Sequence, residues 1–235
     1  HHPIAARRDI TVLRMSRHSF LRRSTAALLL LVISVCLVSS ALGAQDKKGI
    51  LLVAFGTSEE KALSAYAGIE AAFRSELGQE EALIWAYTSN IIRTKLDRQG
   101  RHVPSVDEAL NTLAEQGVSD LAVQSLHVMG GEEFTKLDRL LQSYALRYPG
   151  RFKTMRLGRP LIESMEDARE VAEALLSSVP AERKSSDAVL FMAHGQDQGR
   201  CDMVFAGMDS VMNALDPLAF MASVEGYRRI DDIIP

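Results

Sequence analysis

VLFMAHGQDQ, Val189 to Gln198, is the stretch that decides the fold. Apolar, strand-favouring residues run into Ala193, His194 and Gly195. This predicts a buried parallel strand with an imidazole just past its carboxyl end, where open α/β sheets place their ligands. A second such run, Ala219 to Val224 (AFMASV), delivers Glu225 to a comparable position 31 residues after His194, followed by Gly226 and Tyr227. A histidine and a carboxylate at adjacent strand ends make half of a divalent-metal site. A metal that is to undergo chemistry needs at least three protein ligands and an open position. Glu225 equally suits an exposed strand-end residue paired with Arg228 or Arg229.

Outward from this stretch, the chain alternates strands and helices. ILLVAF (Ile50 to Phe55) is a short continuous apolar run of the buried-strand kind. Gly56, Thr57 and Ser58 turn it into a helix starting at Glu59, with Thr57 or Ser58 expected as its cap and Ala62, Leu63, Tyr66, Ile69 and Phe73 on one face. FGTS has one glycine and no lysine, so it lacks the phosphate-loop pattern. ALIWAY (Ala82 to Tyr87) is the second strand, and a short helix is expected over Ile91 to Arg98. Ser105 and Glu108 form a capping box ahead of the stripe Val106, Ala109, Leu110 and Leu113. Leu121 to Leu126 is the third strand, with His127 at its carboxyl end, and Gly130-Gly131 precedes a helix from Glu132 to about Tyr148.

Pro149-Gly150 breaks the chain. A short strand (Thr154 to Leu157) and a helix (Ser164 to Ser177) follow, and the polar stretch 180–186 marks the crossing into a second unit. That unit consists of the His194 strand, a helix over Met203 to Leu215 and the Glu225 strand. The expected fold class is α/β, with two similar parallel-sheet domains covered on both faces. The domain at 45–180 is the first, and the one beginning at 181–235 is the second. A two-stranded parallel sheet buries too little surface to stand alone, so the second domain is expected to be incomplete.

With 47% apolar and 24% charged residues among 235, the chain can bury one large or two small cores, which excludes a disordered polypeptide. Residues 1–44 fall outside this accounting. Met15 is followed by Arg17, Arg22 and Arg23, then an apolar run from Ala26 to Val38, then small residues through Ala44. These are the regions of a secretory signal, and the run is short for a bilayer span. Cleavage after Gly43 or Ala44 is expected, with an uncleaved anchor as the alternative. The mature chain would then be periplasmic and would carry no stable membrane span. Without residues 1–44 the chain has 21 Lys plus Arg against 29 Asp plus Glu, a balance of −8. That acidity argues against a nucleic-acid partner. Only Cys201 remains, so no internal disulfide can form.

Three histidines lie after residue 44: His102, His127 and His194. His102 sits in a polar loop and reads as solvated. His127 and His194 each end a strand, which singles them out, although a strand-end histidine also serves to bond a neighbouring turn. Glu132 and Glu133 read as first-turn helix acids. Cys201 is a lone thiol on a loop, and Met192, Met203, Met208 and Met212 are expected in the core.

Four motifs in order, LLVAFGTS (Leu51 to Ser58), QSLHVMGGEE (Gln124 to Glu133), VLFMAHG (Val189 to Gly195) and SVEGY (Ser223 to Tyr227), resemble the sirohydrochlorin cobaltochelatases of the CbiK type. These are class II chelatases of anaerobic cobalamin synthesis, and ferrochelatase is among their relatives. The similarity runs from about Lys47 to Pro235, and the exported subset is the nearest match. The resemblance implies two similar α/β domains around a tetrapyrrole cleft and ATP-independent insertion of Co²⁺, or alternatively Fe²⁺, as substrate metal. It assigns His194 as the active-site histidine, binding metal and accepting a pyrrole proton, and Glu225 as the carboxylate ligand. The family's third ligand is a later histidine, beyond the Pro235 at which this sequence stops. His127 is expected to line the cleft and orient the macrocycle; Arg93, Arg98 and Arg101 could meet the substrate's acidic side chains, although surface charge is the commoner role of arginine. No resident prosthetic group is expected, and homo-oligomerisation stays open. The rival reading is a periplasmic carrier of tetrapyrrole or metal without turnover.

Overall fold

A computed structural model describes residues 46–78, 81–195 and 202–233. The leader reading for residues 1–44 and the thiol of Cys201 fall outside the described residues. The first sheet holds four parallel strands in the order β2-β1-β3-β4: β1 (Lys48–Ala54), β2 (Ala82–Tyr87), β3 (Asp120–Ser125) and β4 (Thr154–Leu157). A second, two-stranded parallel sheet pairs β5 (Val189–Gly195) with β6 (Ala219–Glu225). The α/β class and the parallel pairing are as the alternation of elements predicts.

The strand order follows from where the helices can bury their apolar stripes. α3 (Val106–Glu115) places Val106, Ala109, Leu110 and Leu113 against Leu51, Val53, Leu121 and Val123. α4 (Glu132–Arg147) adds Leu137, Leu141 and Tyr144 to the same core. Each fully buried Leu or Val there contributes about 1.5–3 kcal/mol. α1 (Glu60–Glu76) and α2 (Asn90–Arg98) belong to another cluster, around Ala54, Tyr87 and Leu96. α1 buries no residue completely and is held by aromatic contacts. Tyr66 stacks on Trp85 at 5.0 Å and meets Tyr87 edge-on at 5.9 Å, while the Trp85 indole N–H donates to Glu70 at 2.9 Å.

The α3 capping box forms as predicted: the Ser105 hydroxyl accepts the Glu108 N–H, and the Glu108 carboxylate accepts the Ser105 N–H at 2.6 Å. The start of α1 differs from expectation. Its cap is Glu59, with no side-chain cap bond, and Thr57 Oγ1 instead accepts the Glu59 N–H at 3.1 Å. Thr57 lies two residues before the cap position, too early to reach the first helical turn, so it ties the turn and not the helix.

α5 (Met165–Ser177) and α6 (Asp202–Leu215) pack together with the second sheet, joining Ile162, Ala168, Ala172, Met208, Met212, Ala219 and Met221 in one core. Met208 and Met212 are buried as expected. Met192 and Met203 are not: they are 48% and 80% exposed. Met192 alternates onto the pleat face opposite Phe191, which packs with α5 and α6, and Met203 lies at the exposed start of α6. Among the described residues, no helix is long and apolar enough to cross a membrane.

Candidate active site

His194 and Glu225 lie at the carboxyl ends of neighbouring strands, and both are exposed. The parallel register pairs Ala193 with Ser223 and Gly195 with Glu225. His194 therefore stands one residue short of the carboxylate's partner, on a strand about 4.8 Å away. Regular alternation sends the His194 side chain to the Met192 side and Glu225 to the Met221 and Ser223 side. The two can meet over one ion only above the sheet's edge, where the pleat no longer separates them. Among the described residues, no group of three or more His, Cys, Asp or Glu side chains is placed to hold a metal.

The backbone here is closely built. Gly195 has φ 81°, and a Cβ on it would lie 1.8 Å from the Glu225 carbonyl oxygen and 2.7 Å from Ser223 Cβ. Only glycine fits that conformation and that approach. Beyond Glu225 the chain turns through Gly226 (φ 82°) and Arg228 (φ 56°). Buried Ser223 holds this turn, its hydroxyl donating to the Tyr227 carbonyl at 2.6 Å and its N–H to the Arg228 carbonyl at 3.1 Å. Arg228 forms an ion pair with Asp209 of α6, not with Glu225. Asp209 also accepts the Met221 N–H at 2.8 Å, so α6 is tied to both β6 and its exit turn. These contacts leave the Glu225 carboxylate at the rim.

A groove of about 220 Å³ lies beside the starts of α5 and α6, lined by Ile162, Met165, Met203, Gly207 and Met208 among others. Because α6 follows β5, the groove opens at the same end of the second sheet as His194. The exposure of Met203 is explained by its place on the groove wall.

His127 is placed elsewhere, at the carboxyl end of the first sheet. In the order β2-β1-β3-β4, the direction of winding reverses between β1 and β3, and such a switch point leaves a crevice outside the strand ends. His127 stands two residues past β3 at that point. Its Nδ1 is 2.8 Å from Ser125 Oγ, which also accepts the His127 N–H at 3.2 Å. Nε2 is buried and has no partner among the described residues. Burial holds the imidazole's pKa below its ordinary value, against the opposing pull of the Glu133 carboxylate. Glu133 is more than a first-turn acid. It accepts the Thr88 hydroxyl at 3.1 Å and the Lys136 ammonium at 3.1 Å, tying the exit of β2 to the first turn of α4.

Ser125, Thr88 and Glu133 were not legible as site residues. The sole local sign was the alternation that puts Ser125 on the buried face of an otherwise apolar strand. Among the arginines, Arg93 pairs with Glu108 at 3.7 Å and Asn90 at 3.3 Å, and Arg98 and Arg101 are exposed. His102 is also exposed and meets Asp97 at 3.0 Å.

Residues 48–235 match the family model of the cobalt chelatases (CbiK). The chain is 31% identical over 189 residues to the sirohydrochlorin cobaltochelatase CbiKC of Nitratidesulfovibrio vulgaris, covering 80% of this chain and 66% of that protein. It is 34% identical over 191 residues to the sirohydrochlorin cobaltochelatase of Salmonella typhimurium, covering 80% and 69%. The chain thus spans about two thirds of the length of these relatives. SirB from Bacillus subtilis, solved with Fe³⁺, superposes with a TM-score of 0.52 at 15% identity, over 80% of this chain and 69% of that one. This last likeness is one of fold.

Proposed function

The chain belongs to the cobalt chelatase (CbiK) family, and we propose that it inserts cobalt(II) into sirohydrochlorin, in anaerobic cobalamin synthesis and without ATP. The observation that carries the reading is the β5–β6 register, which sets an exposed imidazole and an exposed carboxylate at adjacent strand ends. Insertion of a divalent ion displaces two pyrrole N–H protons. An imidazole has the basicity near neutral pH to accept one of them when it is not itself holding the metal. In this reading His194 binds the incoming ion and takes the proton, Glu225 draws the cation to the rim, and His127 contacts the macrocycle. Imidazole and carboxylate suit Co²⁺ and Fe²⁺ alike, so iron(II) is the alternative substrate metal. The signal-like sequence before residue 45 supports a periplasmic site of action.

The competing reading is a carrier that binds tetrapyrrole or metal without turnover, favoured by the two-ligand count at His194 and Glu225. Anaerobic incubation with sirohydrochlorin and either Co²⁺ or Fe²⁺, followed by absorbance, separates the two. The enzyme reading expects metal-dependent conversion beyond one equivalent, reduced at least about 100-fold in His194→Ala. The circular dichroism spectrum should be unchanged, because the exposed side chain contributes little packing. Stoichiometric binding that survives His194→Ala would sink the enzyme reading and support the carrier.

A further inference from the structure

We propose that Ser125 fixes His127 in the tautomer that carries its proton on Nε2, and that this N–H donates to a carboxylate oxygen of the bound tetrapyrrole. The second half rests on the sirohydrochlorin reading above; the first half stands on the geometry alone. Ser125 Oγ already accepts the main-chain N–H of His127, and the serine is 2% exposed. Its own proton needs an acceptor, and His127 Nδ1, at 2.8 Å, is the partner the structure supplies. With the proton on Nδ1 instead, both the serine O–H and the Nε2 lone pair would be left buried without partners. With the serine donating, one group alone is left over, Nε2–H. A buried polar group without a partner is costly, and such groups persist where a ligand completes them.

The position fits a ligand contact. His127 stands at the β1/β3 switch point, where doubly wound sheets take their ligands. The residue as a whole is half-buried and stands at the strand ends, so the ring is not sealed in the core. The neighbouring Glu133 carboxylate is engaged by Thr88 and Lys136 and makes no hydrogen bond to Nε2. A tetrapyrrole with acidic side chains brings anionic acceptors, and a neutral N–H is the matching donor. His127 is in this account a positioning residue, and the proton-accepting role stays with His194: a ring protonated on Nε2 and disfavoured by burial from charging is a poor base.

The test compares His127→Gln, whose amide N–H lies near the Nε2 position without a titratable lone pair, with His127→Phe, which keeps bulk but no donor. Phenylalanine is expected to weaken sirohydrochlorin binding about tenfold or more, and glutamine to recover most of that loss, with both effects on KM and not on kcat. If His127 is a base or metal ligand, glutamine will fail as badly as phenylalanine and kcat will fall in both. Nitrogen-15 NMR of the histidines in the ligand-free protein should show the Nε2–H tautomer in wild type and a mixture in Ser125→Ala; an Nδ1–H signal in wild type overturns the first half. An Nε2–H resonance unmoved by saturating sirohydrochlorin would mean that the group meets an internal water only, and overturns the second half. Failure of the wild-type chain to bind sirohydrochlorin at all would remove the functional reading together with the second half, and leave the tautomer result standing.

Discussion

Replacing Gly195 by alanine probes the joint between the two strands that carry the candidate metal ligands. The new Cβ would sit 1.8 Å from the Glu225 carbonyl oxygen and 2.8 Å from its carbonyl carbon, so the β6 backbone must retreat by more than about 1 Å. The φ of 81° adds about 1–2 kcal/mol for a residue with a side chain. Parting the strand ends sacrifices a ladder contact worth about 1 kcal/mol. Together these give about 2–3 kcal/mol, or roughly a 4–12 °C fall in melting temperature for a unit of this size. Thermal unfolding by circular dichroism measures the loss, and the spectrophotometric insertion assay reports whether Glu225 is displaced. Because the clash is at the rim, activity should fall further than stability. A Gly195→Ala protein that melts with wild type and retains full metal insertion would refute both the close approach and the role assigned to this strand end.

Two further outcomes follow from the four-stranded sheet and its helices. Ser105→Ala removes the hydroxyl that accepts the Glu108 N–H and should cost about 1 kcal/mol, read as a lower urea midpoint at unchanged slope, because α3 anchors four buried residues. An unchanged midpoint would show that the box adds nothing to α3. For His127, whose pKa is lowered by burial from 6.5, the unfolded chain binds the proton more readily than the folded one. Stability is therefore full above about pH 6.5 and declines as pH falls through that value towards the folded pKa. His127→Gln should flatten this part of the profile, and identical wild-type and variant slopes between pH 7 and 5 would contradict it.

Much of the fold was legible because its signals are local. The Ser105–Glu108 box joins residues only three apart, and the runs ALIWAY and TMRL coincide with β2 and β4. His127 and His194 stood out because apolar runs end at them, and chain-local patterning is enough to place a residue at a strand end. What no local pattern holds is the pairing. Strand order puts His127 at the switch point, and register sets Glu225 opposite Gly195 and sends it to the other pleat face from His194. Tertiary packing also joins Glu133 to Thr88, 45 residues apart, and turns Arg228 to Asp209 instead of the nearby Glu225. It leaves Met192 and Met203 exposed where composition argued for burial. The sequence by itself determined the elements, the capping box of α3 and the residues at the strand ends, since these depend on neighbours within a turn or a pleat. Which ends meet was decided only when the helices buried their stripes on the sheets, because that choice minimises exposed apolar area over the whole chain at once.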